Sequence, residues 1–189
     1  MDLIRQLDIS TINFVEQIRT PFLTTFFKAV TFMGEWYFVF GVLILISLFL
    51  IIKKKFRYDF ILWPITIGGF GATFVLKEIF HRSRPLGALV TESSPSFPST
   101  HAMFSIAFYA FIFYLLALNA KSRFSKYLLI SAVFLVPVFL GFSRLYLGVH
   151  YLSDVLAGYA IGDVWFLIGA FLAAKSRKCL FRNHFPLRQ

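Results

Sequence analysis

The sequence has one cysteine, Cys179, so no internal disulfide forms within a single chain, and a lone thiol leaves the redox compartment open. It has little negative charge. Nine Asp and Glu stand against 19 Lys and Arg in 189 residues, and without a carboxylate cluster there is no ready cage for a hard divalent cation. Long polar stretches are also missing: charged residues make up 15% of the chain and nowhere gather into a second, water-soluble domain. No internal repeat or low-complexity linker divides it. What remains is 58% hydrophobic and 20% aromatic, far more apolar than one soluble core requires. The chain reads as a single integral-membrane domain over residues 1–189, an all-α polytopic helix bundle.

Apolar runs at 20–34, 36–52, 59–78, 101–119, 127–143 and 153–174 predict six transmembrane helices, the first of them short and carrying Lys28. Residues 1–20 place Asp2, Asp8, Glu16 and Arg19 among apolar positions, which predicts an interfacial amphipathic helix and no cleaved signal. Basic residues cluster between the runs: Lys53, Lys54, Lys55 and Arg57; then Lys121, Arg123 and Lys126; then Lys175, Arg177, Lys178, Arg182 and Arg188 in the tail. A net charge of +10 would otherwise point to nucleic acid, but positives in short loops set membrane orientation, so no nucleic-acid partner is expected. The clusters mark the cytoplasmic side of a plasma (inner) membrane. Six spans then put both termini in the cytoplasm and turn the 79–100 loop and the 144–152 connection outward, to the periplasmic or extracellular face.

Away from those clusters, ionisable residues near span ends are few: Lys77, Glu78, His81, Arg82, Arg84, Arg144, His150, Asp154 and Asp163. Lys77 and Arg84 close the third run, Ser99 and His101 open the fourth, Arg144 closes the fifth, and His150 and Asp154 open the sixth. Four span ends thus share one layer with three cations, two imidazoles and one carboxylate, a layer suited to an anion. Taken singly, each group has a plainer reading. Span-end Lys77 and Arg84 snorkel to headgroups, Ser99 after Pro98 is a good helix N-cap, and His150 with Asp154 ties a helix end. Their spacing favours a site. Lys77 and Arg84 lie close to two helical turns apart and share a face, whereas His81 and Arg82 fall off it and read as surface or headgroup contacts. A helix starting after Ser99 leaves the amides of Thr100 and His101 unpaired at its end. His150 and Asp154 stand at i and i+4, so the carboxylate engages one imidazole nitrogen and frees the other as nucleophile or base.

In order and spacing these residues resemble the three-part signature of the type 2 phosphatidic acid phosphatase (PAP2) superfamily. Its K-x6-R-P part appears as Lys77 to Pro85, its P-S-G-H part as Pro98-Ser99-Thr100-His101, and its S-R-x5-H-x3-D part as Ser143-Arg144 through His150 to Asp154. Thr100 replaces the family's usual glycine; it keeps the amide and adds a β-branched side chain with a hydroxyl. The resemblance implies a small bacterial membrane lipid phosphatase that uses neither metal nor other cofactor. It implies that His150 attacks phosphorus to form a phosphohistidine while Asp154 holds its other nitrogen, and that His101 protonates the leaving oxygen and then activates water. Lys77, Arg84, Ser99, Thr100 and Arg144 would hold the phosphoryl oxygens. The implied substrate is a phosphorylated lipid met in the membrane, with undecaprenyl pyrophosphate or phosphatidylglycerophosphate preferred. A lipid A 1-phosphatase or a lipid phosphotransferase of the same superfamily stays open, as does a non-catalytic lipid-binding or transport protein. A vanadate-dependent haloperoxidase shares the signature on a soluble scaffold, which the apolar runs oppose.

Overall fold

In the computed structural model residues 3–184 are described, and Asp2 and Arg188 lie outside them. Seven helices follow in order: α1 Leu3–Gln17, α2 Pro21–Phe32, α3 Trp36–Ile52, α4 Phe56–Phe80, α5 Thr100–Asn119, α6 Arg123–Tyr146 and α7 Leu152–His184. Local chemistry sets their starts. Thr20 caps α2, its Oγ1 accepting from the Leu23 amide at 3.2 Å with Pro21 in the first turn, and Ser122 caps α6 by accepting from the Ser125 amide at 3.0 Å. Prolines 64 and 137 sit inside α4 and α6, and α5 contains a π-helical turn over Ser105–Ala110.

Four helices are long and apolar enough to cross a membrane: α4, α5, α6 and the Leu152–Ser176 part of α7. The six expected spans are not all present as such. The runs at 20–34 and 36–52 become α2 and α3, which pass the same test only as a pair bent by 51°, giving up to five spans. The reason lies in the backbone between them. Gly34 donates to the Thr31 carbonyl at 2.9 Å, Glu35 to the Phe32 carbonyl at 3.2 Å, and Val39 to the Glu35 carbonyl at 2.9 Å, so the turns continue through the break and the chain bends without reversing. α1 lies at the motif end of the bundle, where its Asp8 is ion-paired with Arg82.

α1 also differs from a helix that merely floats in the interface. It exposes Leu3, Ile4, Leu7 and Phe14 and buries Val15 together with the carboxylate of Asp8. Asp8 and Val15 thus face the protein, while Leu3, Ile4, Leu7 and Phe14 face outward.

α5 occupies the centre, buried along most of its first half from His101 to Phe111. Phe104 stacks on Phe70 of α4 with ring centroids 5.8 Å apart, and α7 lays glycines against the other side. A Cβ on Gly158 would stand 2.4 Å from the Ser99 carbonyl oxygen and 2.9 Å from Ala102 Cβ; one on Gly162 would stand 2.9 Å from the Met103 carbonyl oxygen. This small-residue seam lets the backbones of α5 and α7 approach closely. It also brings Ser99 within reach of Asp154, whose carbonyl accepts from the Ser99 amide at 3.0 Å. Gly158→Ala should therefore push α5 from α7 and cost about 1–3 kcal/mol, the usual range for overpacking. Thermal unfolding in detergent should show a lowered midpoint; an unchanged midpoint would mean that the seam relaxes freely.

Candidate active site

The end of α4, the start of α5, the end of α6, the turn before α7 and the α2–α3 bend enclose a cavity of about 290 Å³. Lys77, Arg84, Thr100, His101, Arg144 and His150 line it, so six of the eight candidate residues share one space. Asp154 lies behind His150, fully buried. Ser99 does not line the cavity: its Oγ accepts from the Ala102 amide at 3.4 Å, the N-cap geometry that its sequence context also predicts.

His150 sits between two opposed partners. Its Nδ1 is 3.4 Å from Asp154 Oδ2, and its Nε2 is 3.4 Å from Arg84 Nη1. Arginine only donates, so the nitrogen facing Arg84 is the one without a proton, and the proton sits on Nδ1 toward the carboxylate. Burial, followed by the positive charges of Arg144, Arg84 and Lys77, holds the imidazole well below its ordinary range and therefore neutral. A neutral ring whose Nε2 lone pair meets only the Arg84 guanidinium at 3.4 Å and lies at a cationic cavity has the chemistry that nucleophilic attack on a bound anion needs.

The cations are themselves fixed. Arg84 donates to the carbonyls of Val149 at 2.7 Å and Ser94 at 2.8 Å, Lys77 donates to the Pro95 carbonyl, and Arg144, 1% exposed, donates to Thr31 Oγ1 at 2.6 Å. Glu92 completes the set. Its carboxylate accepts from Arg144 and lies 3.7 Å from Arg84 Nη2. Burial alone would raise the Glu92 carboxyl, but the two guanidiniums outweigh it and hold the group below the usual carboxylate range. An internal anion thus rests in the grip of the two arginines beside His150. Thr100 adds its hydroxyl, which donates to Thr73 Oγ1 at 3.4 Å.

Two corrections to the sequence reading follow. Arg82 is not a surface or headgroup contact: Nη1 donates to Asp154 Oδ1 at 2.6 Å and to Ser153 Oγ at 2.7 Å, Nη2 donates to Asp8 Oδ2 at 2.8 Å, and the guanidinium lies 4.1 Å over the Tyr151 ring. Asp8 in turn accepts from the Ser153 amide at 2.9 Å. α4 ends at Phe80, with His81 left-handed at φ 41°, so a helical face drawn past that point does not apply to Arg82. The cavity also holds more than one carboxylate, since Glu92 and Glu35 line it. The sequence signal for each was modest: Glu92 is the single acid between residues 79 and 100, and Glu35 the single acid between two apolar runs.

Among the described residues no group of three His, Cys, Asp or Glu side chains is placed to hold a metal ion.

The sequence model of the PAP2 superfamily matches residues 60–178. Phosphatidylglycerophosphatase B of Bacillus subtilis (strain 168) is 35% identical over 155 residues, covering 80% of this chain and 75% of that protein. The crystal structure of the first transmembrane PAP2 type phosphatidylglycerolphosphate phosphatase from Bacillus subtilis superposes with a TM-score of 0.85 at 28% identity, over 93% of this chain and 88% of that one. The crystal structure of Aquifex aeolicus LpxE gives a TM-score of 0.68 at 26% identity, over 87% of this chain and 94% of that one.

The Asp8–Arg82–Asp154 chain makes a prediction that the motif residues alone do not. A hydrogen bond to a charged group is worth about 1.5–3 kcal/mol, so Arg82→Met should lower phosphatase turnover by roughly 10- to 100-fold by freeing Asp154. Steady-state kinetics on purified protein measures this, and an unchanged kcat would show that Asp154 is held well enough by the Tyr151 amide.

Proposed function

The chain belongs to the PAP2 superfamily and is a membrane lipid phosphatase; from that premise we propose that His150 is its nucleophile and that its substrate is a lipid phosphate monoester of the phosphatidylglycerophosphate kind. The observation that carries the reading is the pair of arginines closed on the Glu92 carboxylate next to His150 Nε2. A phosphoryl group offers the same guanidinium forks more oxygens and more charge than a carboxylate does. It would displace Glu92 and bring phosphorus within range of the free nitrogen.

In this mechanism Nε2 of His150 attacks in line and forms a phosphohistidine, with Asp154 holding the Nδ1 proton. Arg84, Arg144 and Lys77 spread the charge of the three equatorial oxygens, the work that a metal ion performs in other phosphoryl-transfer enzymes. His101 protonates the leaving oxygen and later takes a proton from water. Ser99 serves as the cap that shapes the start of α5, and Thr100 meets the phosphoryl group with its amide and hydroxyl. The monoester is favoured because the Bacillus subtilis protein, 35% identical, is a phosphatidylglycerophosphatase. Undecaprenyl pyrophosphate is the second candidate.

The decisive experiment presents purified protein with phosphatidylglycerophosphate, undecaprenyl pyrophosphate, phosphatidate and lipid A 1-phosphate, with and without EDTA. Phosphate release should be fastest from phosphatidylglycerophosphate, should survive EDTA, and should vanish in His150→Ala together with an acid-labile, base-stable phosphoryl label on the protein. A label that persists in His150→Ala would overturn the nucleophile, and activity restored only by a divalent ion would overturn the metal-free scheme.

We place the cavity end outside the cytoplasm. The basic loops at 53–57 and 121–126 join the helix ends opposite to the motifs, and the positive-inside rule assigns them to the cytoplasm. Single cysteines at Thr91, Ser122 and Gln6, in a Cys179→Ser background, test the arrangement with an impermeant thiol reagent on intact cells. Positions 91 and 6 should label and 122 should not; protection of 91 with labelling of 122 would put the site in the cytoplasm.

A further inference from the structure

The bend between α2 and α3 lies outside the residues matched by the family model, yet it forms one wall of the cavity. Three of its residues reach the site, and a fourth ties the bend to α5. Thr31 accepts from Arg144 at 2.6 Å, the Met33 carbonyl accepts from Tyr109 of the π-helical turn at 2.6 Å, and Gly34 and Glu35 both face the ring of His101. A Cβ on Gly34 would stand 2.3 Å from His101 Cδ2 and 2.8 Å from Cγ, so the imidazole rests in the space that a missing side chain leaves. Glu35 then meets the ring with Oε1, 3.4 Å from His101 Nε2, the same separation found between His150 Nδ1 and Asp154 Oδ2. Nε2 is closed to solvent and meets no full hydrogen bond among the described residues, so the Glu35 carboxylate at 3.4 Å stands beside it as an ion-pair neighbour.

We propose that Glu35 is the positioning carboxylate of His101, holding the Nε2 proton so that Nδ1 is the nitrogen offered to the leaving group and to water. The proposal rests on the reading of His101 as general acid and base, and it gives each of the two histidines its own carboxylate: Asp154 behind His150, Glu35 behind His101. In the first step the His101 imidazolium, protonated on both nitrogens, passes its Nδ1 proton to the ester oxygen. The P–O bond breaks and the His150 Nε2–P bond forms. The lipid alcohol leaves and His101 remains neutral, with its Nε2 proton on the Glu35 side. In the second step a water oxygen bonds to phosphorus, the N–P bond breaks, and Nδ1 takes the water's proton, which returns the imidazolium and releases phosphate. Glu35 stays ionised throughout, facing the charge that His101 gains and loses. It touches neither phosphorus nor the leaving oxygen.

A general acid matters where the leaving oxygen is a poor one. A lipid alkoxide needs the proton, and p-nitrophenolate does not. Glu35→Gln should therefore slow phosphoenzyme formation from the lipid monoester by roughly 10- to 100-fold with little change in KM, while the pre-steady-state burst of p-nitrophenol from p-nitrophenyl phosphate stays within about threefold of wild type. Gly34→Ala, which displaces the same ring by crowding, should show the same split. His101→Ala is the control for the underlying reading and should show the split more strongly. If His101→Ala slows both substrates equally, the general-acid assignment falls. If His101→Ala shows the split and Glu35→Gln slows both substrates equally, changes KM alone or changes neither rate, the positioning role of Glu35 is overturned.

Discussion

Arg84 and Arg144, with Lys77 beside them, repel one another inside a buried cavity, and the site exists because the chain sets counter-charges and carbonyls among them. At an effective dielectric near 20, two like charges 4 Å apart repel by about 4 kcal/mol, a cost that an empty pocket would bear in full. Here Glu92 lies between the two arginines, the carbonyls of Val149 and Ser94 accept from Arg84, and the Pro95 carbonyl accepts from Lys77. The loop from His81 to Ser99 is therefore a structural part of the site. It supplies one of the cations, Arg84, together with the anion and two of the carbonyls that make the cluster tolerable, while Val149 comes from the turn before α7. A substrate phosphoryl group takes over the role of Glu92 in the proposed reaction, so ligand binding exchanges one anion for another and creates no charge where none was balanced before.

The same constraint explains why so many elements end at one level. α4 delivers Lys77 in its last turn, α6 delivers Arg144 in its last turn, and α5 and α7 begin there with His101 and Asp154. The Gly158 and Gly162 seam holds the starts of α5 and α7 together, which keeps the two histidines at a fixed relation. α1 closes the arrangement from outside the motif region. Through Asp8 and Arg82 it reaches Asp154, so a residue near the chain start shares a polar network with the carboxylate behind His150.

A pattern runs through these contacts. Each imidazole in the cavity has an acid beside one of its nitrogens. Arg82 fixes Asp154 from the loop after α4, and the α2–α3 bend carries Glu35. The backbone turns that continue through the bend hold Glu35 against the ring; a reversal of direction at Gly34 would have carried α3 away from His101.

Much of this was open to reading from the chain alone. The apolar runs that became α4 to α7 were visible because a membrane span is a local property of about 20 consecutive residues, and His150 with Asp154 was visible because the two stand four residues apart; the helical face drawn through Lys77 and Arg84 does not hold, since α4 ends at Phe80 and Arg84 reaches the cavity from the loop. The number of spans was not visible, since whether Gly34 and Glu35 reverse or bend the chain depends on hydrogen bonds and on what packs against them. Nor were the roles of Asp8, Arg82, Glu35 and Glu92. Asp8 meets Ser153 across 145 positions of sequence, Arg144 meets Glu92 across 52, and no periodicity links such pairs. Sequence by itself determined that Lys77, His101, Arg144 and Asp154 stand at helix ends on one level, because hydrophobic length and helical spacing are short-range. The tertiary structure decided which acid neutralises which cation and that Glu35 stands beside His101, because those pairings form only when distant segments are packed into one low-dielectric space.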